Sequence, residues 1–227
     1  SIQGYCLKAD IKHYFDSVDH GVLVSILRNK IRDGKFIWLV RMILKNFESK
    51  IKGKGMPLGN YTSQFFANVY LNELDYFVKH KLKAKYYIRY VDDFIILHRS
   101  KKRLECFKKE IAEYLRTLKL ALHPEKSSII PLKNGVTFLG YRIFYHYKLL
   151  RKRNIRVFIK KFKEKLNNYD SKLEVNKLIE ELQGWFGYAQ WANTKSIREK
   201  MIMEIIRRFK IEDNNIKGKL CKAGKII

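Results

Sequence analysis

The chain has 227 residues, of which 46% are hydrophobic and 14% aromatic, so it can bury a core and is neither disordered nor of low complexity. Its 48 Lys and Arg residues outnumber the 22 Asp and Glu residues, which gives a net charge of +26 at neutral pH. Because so large a charge destabilises a compact state by self-repulsion, it indicates that the protein binds a polyanion.

The cysteines and the hydropathy pattern predict where the protein works. Three scattered cysteines, Cys6, Cys106 and Cys221, do not form a disulfide framework and suit a reducing compartment. No segment approaches the ~18 consecutive apolar residues of a membrane helix, and the chain does not open with a signal-peptide pattern. We therefore expect a cytoplasmic protein that faces nucleic acid and has no membrane partner.

The first part of the chain predicts a strand, a helix, a loop and a second helix. Residues 5–11 are typical of a strand, and the acidic Asp10 stands near its end. The segment DSVDH at residues 16–20 offers helix-capping side chains before apolar residues at helical spacing. Glycines and a proline within residues 53–59 predict a loop, and an apolar stripe predicts a second helix from about Thr62.

A hairpin with an acidic tip is predicted next. Residues 86–90 and 94–97 are two short strand-like runs, and the segment VDD at residues 91–93 separates them. An amphipathic helix follows, with Ser100 placed to cap it.

The remaining segments favour strands and then helices. Residues 127–131 and 136–143 are strand-like, and the chain after residue 145 is helical in pattern. This order of elements predicts an α+β domain followed by a helical subdomain.

The carboxylates at these strand ends, Asp10, Asp92 and Asp93, suggest a metal site. Crowded carboxylates repel one another unless a cation neutralises them, and Mg²⁺ prefers such hard oxygen ligands. Spacing alone does not show that they converge, so the alternative is that they are capping or solvated side chains.

Five segments in the same order resemble reverse transcriptases of prokaryotic type. They are LKADIKHYFDSVDH at residues 7–20, GMPLGNYTSQFFANVYLNELD at residues 55–75, YVDD at residues 90–93, LHPEK at residues 122–126 and FLGY at residues 138–141. The resemblance implies a polymerase palm, in which an antiparallel sheet packs on helices, followed by a helical thumb. The fingers would be largely absent.

The resemblance also implies an activity, RNA-directed DNA polymerisation, which is a nucleotidyl transfer that uses two Mg²⁺ ions, or Mn²⁺ in their place. Asp10, Asp92, Asp93 and the backbone carbonyl of Ile11 would hold the metal ions. Template RNA, the RNA–DNA hybrid and deoxynucleoside triphosphates would be the partners. Lys126 would donate a proton to the departing pyrophosphate, although a solvated lysine is the alternative.

Further site residues follow from the same resemblance. Phe15 would form a wall against the 2′-hydroxyl of a ribonucleotide, whereas core packing is the alternative for this side chain. The residues implied for nucleotide binding are Ile11, Phe15, Leu58, Gly59 and Gln64. Those implied for primer and template are Tyr90, Gly140 and Tyr141.

One stretch indicates a branch of the family. Leu58 stands where many relatives have Gln, and Ser63-Gln64 replaces Ser-Pro. This combination resembles the reverse transcriptases of diversity-generating retroelements, which copy a template RNA with errors at adenines and work with a small basic accessory protein. The alternatives are an enzyme of group II intron or retron type and a catalytically silent RNA-binding remnant.

The domain organisation implied by the resemblance is a palm at residues 1–145, a thumb at 146–210 and a mobile basic tail at 211–227. Only nine residues precede Asp10, so we expect the fingers to lie upstream or on another polypeptide, and the chain alone to polymerise weakly.

Residues 148–165 contain nine basic residues and one acidic residue, which predicts a surface that binds phosphates along a nucleic acid. Trp185 and Trp191 are expected in the core.

Overall fold

The structure is a computed structural model that describes residues 3–46, 51–57, 59–168 and 175–224. The chain divides into two compact units, Ser1–Lys133 and Asn134–Ile227, which are described one at a time. None of the helices in these described ranges is long and apolar enough to cross a membrane. Leu58, which the sequence assigns to nucleotide binding, lies outside the described residues.

The first unit contains four strands and five α-helices among its described residues. Their bounds are β1 Tyr5–Asp10, α1 Tyr14–Ser17, α2 His20–Arg28, α3 Gly34–Lys45, α4 Tyr61–Tyr76, β2 Tyr86–Tyr90, β3 Asp93–His98, α5 Lys101–Thr117 and β4 Ser128–Pro131. A π-helical turn, Phe77–Lys81, extends α4, and a 3₁₀ turn, Leu132–Asn134, follows β4.

An antiparallel sheet packed on helices forms the core of this unit. The strand order is β2-β3-β1-β4, so β1 and β3 are the central strands. Leu7 of β1 and Phe94 of β3 are fully buried, and they belong to one apolar cluster with Tyr70 and Leu74 of α4 and Ile111 of α5. This packing confirms the α+β prediction, because central strands must bury their apolar face against another layer.

Capping side chains fix the starts of three helices. The Asp19 carboxylate accepts a hydrogen bond from the Val22 amide at 3.0 Å, and Ser100 Oγ accepts one from Arg103 at 3.3 Å. Both caps agree with the sequence prediction. Asp33 caps α3 in the same way by accepting from the Lys35 amide at 2.8 Å, and this helix was absent from the predicted elements.

The second unit contains a small sheet and four helices among its described residues. Their bounds are β5 Val136–Phe138, β6 Tyr141–Ile143, β7 Lys148–Leu150, α6 Lys152–Asn168, α7 Val175–Ala189, α8 Lys195–Arg208 and α9 Asn214–Gly224. The sheet is antiparallel with the order β5-β6-β7. The single strand-like run at residues 136–143 is therefore a hairpin.

The two tryptophans of this unit have different environments. Trp185 stacks on Phe158 with the ring centroids 3.9 Å apart and packs against the apolar cluster of the helices, which confirms the core prediction. Trp191 is 63% exposed, so the core prediction is wrong for it. It lies in the turn after α7, where Lys148 stands over its ring at 5.7 Å.

The prediction of a mobile tail is also wrong where the structure describes it. Helix α9 covers most of residues 211–227, and its Leu220 is completely buried. Ile216, Leu220 and Ala223 are spaced to lie on one helical face, and all three pack in the apolar cluster of this unit. The assignment of palm, thumb and tail to residue ranges remains a prediction.

Candidate active site

Three carboxylates stand at one edge of the four-stranded sheet. Asp10 ends β1 and Asp93 begins β3, and the two are paired directly across the antiparallel ladder. Asp92 lies next to them in the two-residue turn between β2 and β3. The chain therefore brings together the three acidic residues that the sequence assigned to one site. Like charges directly opposite each other on neighbouring strands are destabilising, so a nearby positive charge would relieve the repulsion.

The turn that carries Asp92 has an unfavourable backbone. Val91 has a φ of 54°, in the left-handed region, where a β-branched side chain is rarely found. Such a conformation costs roughly 1–3 kcal/mol and persists only where the surroundings enforce it. Strain of this kind is concentrated at functional sites, and here it lies beside two of the three carboxylates.

The electrostatics of the turn reflect this crowding. Burial raises the pKa of the Asp92 carboxyl, and the Asp10 charge adds to the rise, whereas Lys126 opposes it. Burial also raises the pKa of Asp93, and the charges of Asp10 and Asp92 add to it, whereas Lys8 at 3.5 Å opposes it. Each carboxyl is therefore easier to protonate than an isolated aspartic acid.

The donor set suits a hard divalent cation. Asp93 Oδ1 is buried and has no hydrogen-bond partner among the described residues. Within those residues, no group of three or more His, Cys, Asp or Glu side chains is already arranged to hold a metal ion. Carboxylates that repel one another and leave an oxygen unpartnered nevertheless fit Mg²⁺, which binds oxygen ligands and would remove the repulsion. Asp10, Asp92 and Asp93 would hold it, and the role of the Ile11 carbonyl remains a prediction.

The segment that follows α5 fixes the end of β1. The His123 amide donates to the Asp10 carbonyl at 2.7 Å, and Ile11 forms an isolated bridge with Leu122. Lys126 Nζ lies 3.4 Å from Asp10 Oδ2. Because 59% of the Lys126 side chain is exposed, its ammonium group can reach the site and still contact solvent. Lys126 was predicted to lie near the site, whereas the contribution of His123 was not predicted from the sequence.

Phe15 has features of both interpretations offered for it. The ring is half-buried against the core and meets Tyr14 edge-on, with the centroids 5.5 Å apart. Its carbonyl accepts from the Met56 amide at 2.8 Å, which ties α1 to the loop before α4. Part of the ring therefore packs, while the rest is available to a ligand.

The other residues predicted for nucleotide and primer contacts in this unit lie on its surface. Gly59 and Gln64 are exposed at the start of α4, and Tyr90 is 60% exposed at the end of β2. Exposure of this kind is compatible with ligand contacts, which remain predictions for all three.

Gly140 and Tyr141 belong to the second unit. Leu139 and Gly140 form the turn between β5 and β6, with φ values of 48° and 85°. A side chain at Gly140 would collide with the hydroxyl of Tyr188, so only glycine is accommodated. The Tyr141 hydroxyl donates to the Tyr188 carbonyl at 2.7 Å, which anchors the hairpin to α7.

One polar network beside the acidic turn was not predicted from the sequence. Arg89 of β2 pairs with Asp75 of α4 through two nitrogens, at 2.7 and 2.5 Å, and Tyr87 also donates to Asp75. Two signals could have identified it. Arg89 is a cation within a strand-like run, and Asp75 lies near the C-terminal end of its helix, where the helix dipole disfavours an acid.

Comparisons with known proteins show the family of the chain. A sequence model for the family described as "Reverse transcriptase (RNA-dependent DNA polymerase)" matches residues 3–143. Protein YkfC of Escherichia coli K12 is 26% identical over 188 residues, covering 66% of this chain and 48% of that protein. The group II intron-encoded protein LtrA of Lactococcus lactis is 27% identical over 205 residues, covering 60% of this chain and 34% of that protein. The chain thus spans less than half the length of either relative.

Solved structures show the same fold at low sequence identity. The apo telomerase of Candida tropicalis matches 99% of this chain and 47% of its own chain, with a TM-score of 0.57 and 15% identity. The telomerase of Candida albicans, solved with a fragment of telomeric RNA, matches 98% of this chain and 47% of its own, with a TM-score of 0.52 and 12% identity. At these identities the likeness concerns the fold alone.

Proposed function

Because the chain belongs to the reverse transcriptase family, we propose that it is the catalytic part of an RNA-directed DNA polymerase. The observation that carries this proposal is the meeting of Asp10, Asp92 and Asp93 at one sheet edge, with Lys126 within reach. No other described group of side chains in the first unit combines acidic oxygens, an unpartnered buried oxygen and a strained turn.

The reaction would be a nucleotidyl transfer. The 3′-hydroxyl of a primer would lose its proton to water and attack the α-phosphate of a deoxynucleoside triphosphate. A new P–O bond would form, and the bond from the α-phosphorus to the bridging oxygen of the β-phosphate would break to release pyrophosphate. Two divalent cations, when bound, would stabilise the charge on the attacking and leaving oxygens. Asp10, Asp92 and Asp93 would orient the reacting groups, and Lys126 would hold a proton for the departing pyrophosphate.

Primer extension on an RNA template tests this function. It should be measured with the protein as its gene encodes it. Asp92→Asn should abolish synthesis, because it removes a ligand charge at the tip of the turn. Glu110→Gln, which neutralises an exposed carboxylate of α5, is the matched control and should leave synthesis unchanged.

A catalytically silent RNA-binding protein is the alternative that this experiment separates. In that case the protein would not extend a primer, and Asp92→Asn would leave its RNA binding unchanged. RNA binding without extension by the protein would therefore contradict the proposed polymerase.

We further propose that the enzyme is of the diversity-generating type and copies adenines with errors. The support is the Leu58-Gly59-Asn60-Tyr61-Thr62-Ser63-Gln64 sequence. An apolar Leu58 offers only shape and dispersion, whereas a Gln could read the nucleotide through hydrogen bonds and reject mispairs. An enzyme of group II intron type is the second candidate, and its support is the similarity to LtrA.

Fidelity distinguishes the two candidates. We expect frequent misincorporation opposite template adenines by the wild type and a lower error rate for Leu58→Gln. Leu58→Met keeps an apolar side chain and should retain the errors. Equal error rates at adenines for the wild type and Leu58→Gln would remove the diversity-generating proposal.

The RNA–DNA hybrid is the partner proposed for the second unit. Six cations of residues 151–163 are exposed and form no ion pair with a described carboxylate. They are Arg151, Lys152, Arg153, Arg156, Lys161 and Lys163. A basic helical face of this kind recognises the phosphate backbone rather than base sequence. A small basic accessory protein is proposed as a further partner on the resemblance alone.

A further inference from the structure

The turn that carries Asp92 is held by the largely buried side chain of Arg89 in the preceding strand. Nη1 of Arg89 donates a hydrogen bond to the Val91 carbonyl at 2.9 Å. Val91 is the residue with the left-handed backbone, so the bond acts on the peptide whose conformation is least favourable. Only 10% of the Arg89 side chain is exposed, which shields this hydrogen bond from competition with water.

The guanidinium group is itself fixed by a second residue. Asp75 Oδ1 accepts from Arg89 Nε at 2.7 Å, and Oδ2 accepts from Nη2 at 2.5 Å. This two-point geometry sets the plane of the guanidinium group, which a single contact cannot do. Tyr87 adds a third restraint, because its hydroxyl donates to Asp75 Oδ1 at 2.6 Å. Helix α4, strand β2 and the turn are thereby connected through one ion pair.

The energetics of partly buried ion pairs indicate why this one is present, since 10% of the Arg89 side chain and 31% of the Asp75 side chain are exposed. Removing two charges from water offsets most of their attraction, so apolar residues could stabilise the fold as well. What apolar residues could not supply is a directed donor for the Val91 carbonyl. The pair therefore contributes geometry at the turn rather than stability alone.

We propose that Asp75 and Arg89 are positioning residues that hold the Val91–Asp92 turn in its left-handed conformation and so fix Asp92 and Asp93 opposite Asp10. The proposal rests on the proposed function in one respect: holding Asp92 and Asp93 opposite Asp10 matters for activity only if these carboxylates form the polymerase site. That Arg89 holds the turn through the Val91 carbonyl does not depend on the proposed function.

Arg89→Lys is the main test, because lysine keeps the positive charge but cannot contact Asp75 twice and the Val91 carbonyl at once. We expect amide hydrogen exchange at Asp92 and Asp93 to become roughly tenfold faster, while the amides of β1 and β3 away from the turn stay protected. The affinity for Mn²⁺, which is measured from the electron paramagnetic resonance signal of the unbound ion, should fall by about 10–100-fold. Arg103→Lys, which alters an exposed arginine of α5 that stands over Phe107, is the matched control.

A second substitution shows whether Arg89 acts through Val91. Glycine adopts a positive φ without strain, so Val91→Gly removes the need to enforce the turn. We expect Arg89→Lys to weaken Mn²⁺ binding less in the Val91→Gly background than in the wild type. An equal loss in both backgrounds would overturn the proposal, because it would show that Arg89 does not act through the turn.

The remaining outcomes separate this proposal from the proposed function. Faster exchange at Asp92 and Asp93 in a chain that neither binds Mn²⁺ nor extends primers would support the positioning role and contradict the polymerase. Unchanged exchange at these amides in a polymerase that works normally would contradict the positioning role alone. If Arg89→Lys does not fold, Asp75→Asn provides the same comparison, since its amide oxygen can still accept one of the two hydrogen bonds.

Discussion

Lys126 Nζ lies 3.4 Å from Asp10 Oδ2, and this ion pair joins two residues that are 116 positions apart in the sequence. Asp10 is largely shielded, with 18% of its side chain exposed, whereas 59% of the Lys126 side chain is exposed. The Asp10 carboxylate is thus held in place by its surroundings, whereas the Lys126 ammonium group is free to move away from it into solvent. A pair of this kind contributes roughly 0–1 kcal/mol to stability, so its importance should lie in chemistry rather than in folding.

The first prediction concerns Lys126. We expect Lys126→Ala to change the free energy of unfolding by less than about 1 kcal/mol and to slow nucleotide addition by roughly 10²–10⁴-fold, as for loss of a general acid. Urea unfolding and single-nucleotide incorporation at saturating substrate measure the two effects. Lys133→Ala removes another exposed lysine and serves as the control. An unchanged incorporation rate would leave only the solvated-lysine interpretation.

The second prediction concerns the pH dependence of stability at the acidic turn. Burial, together with the charge of Asp10, raises the pKa of Asp92 above its ordinary value in the folded chain. The folded chain therefore binds more protons there, and stability falls as the pH rises from the ordinary pKa through the raised value. Asp92→Asn removes this loss, so the metal-free variant should be more stable than the wild type at neutral pH and should have a higher Tm.

Calorimetry of the metal-free chain at pH 4 and pH 7 measures this difference. Addition of Mg²⁺ or Mn²⁺ at pH 7 should raise the Tm of the wild type but not that of Asp92→Asn, because binding to the folded state is what stabilises it. A variant less stable than the wild type at pH 7 would show that the carboxylates do not repel one another.

The third prediction concerns Asp19, which is 8% exposed and accepts from both the Val22 amide and Lys119 Nζ, the latter at 2.7 Å. Burial alone would raise the pKa of Asp19, but these two partners outweigh it and lower the pKa overall. Its stabilisation is thus present above the ordinary pKa and is lost as the pH falls through the lowered value.

Asp19→Ala should reduce the free energy of unfolding at pH 7 by about 1–3 kcal/mol, because it removes a helix cap and leaves the partly buried Val22 amide without its acceptor. The deficit should shrink as urea unfolding is repeated toward pH 2. Asp33→Ala removes an exposed cap of α3 and should cost about 1 kcal/mol or less. A deficit for Asp19→Ala that does not depend on pH would contradict the assigned charge state.

The fourth prediction concerns Phe15. If part of its ring limits the nucleotide site, Phe15→Ala should raise incorporation of ribonucleotides relative to deoxyribonucleotides by about tenfold or more, because a steric barrier to the 2′-hydroxyl is removed. Competition between the two nucleotides in primer extension measures this ratio. Phe36→Ala removes another half-buried phenylalanine of the same core as a control for packing loss. Loss of stability without a change in the ratio would favour the core-packing interpretation.

The fifth prediction concerns the basic face of α6. Affinity for an RNA–DNA hybrid should fall steeply with salt, and the double variant Arg153→Gln and Arg156→Gln should reduce the slope of the logarithmic plot by roughly one to two. Fluorescence anisotropy at several salt concentrations measures the slope. Lys195→Gln, whose cation is already paired with Glu199 at 3.9 Å, should leave it nearly unchanged. A response to salt that is flat in the wild type would contradict phosphate binding.

Local pattern was sufficient to predict the central elements of the first unit. Alternating and helical apolar spacing, a capping Ser100 and the acidic tip between two strand-like runs all correspond to elements in the structure. The convergence of Asp10 with Asp92 was not predictable from spacing, because it depends on β1 pairing with β3. The convergence was predicted only because five segments of the chain resemble, in the same order, those of reverse transcriptases.

The features that were missed depend on contacts between distant segments. Helix α3 has three buried residues, Ile37, Val40 and Leu44, but an exposed Trp38 and Leu39 obscure its apolar face in the sequence. Arg89 and Asp75 are each unusual for their place in a strand and at a helix end, but the ion pair joins two distant segments, so neither local signal identifies the partner. Trp191 was misassigned because size and hydrophobicity do not reveal that a residue follows the end of a helix.

The pairing of Asp10 with Asp93 limits how the hairpin can change in related chains. An extra residue between Tyr90 and Asp93 would lengthen the two-residue turn and displace Asp92 from Asp10 or, if β3 shifted by one position instead, would move its side chains to the opposite face. The loop can therefore accept different residues at position 91 but not a different length. Insertion scanning across residues 90–93 should find no functional variant, whereas exposed loops elsewhere in the chain should tolerate added residues.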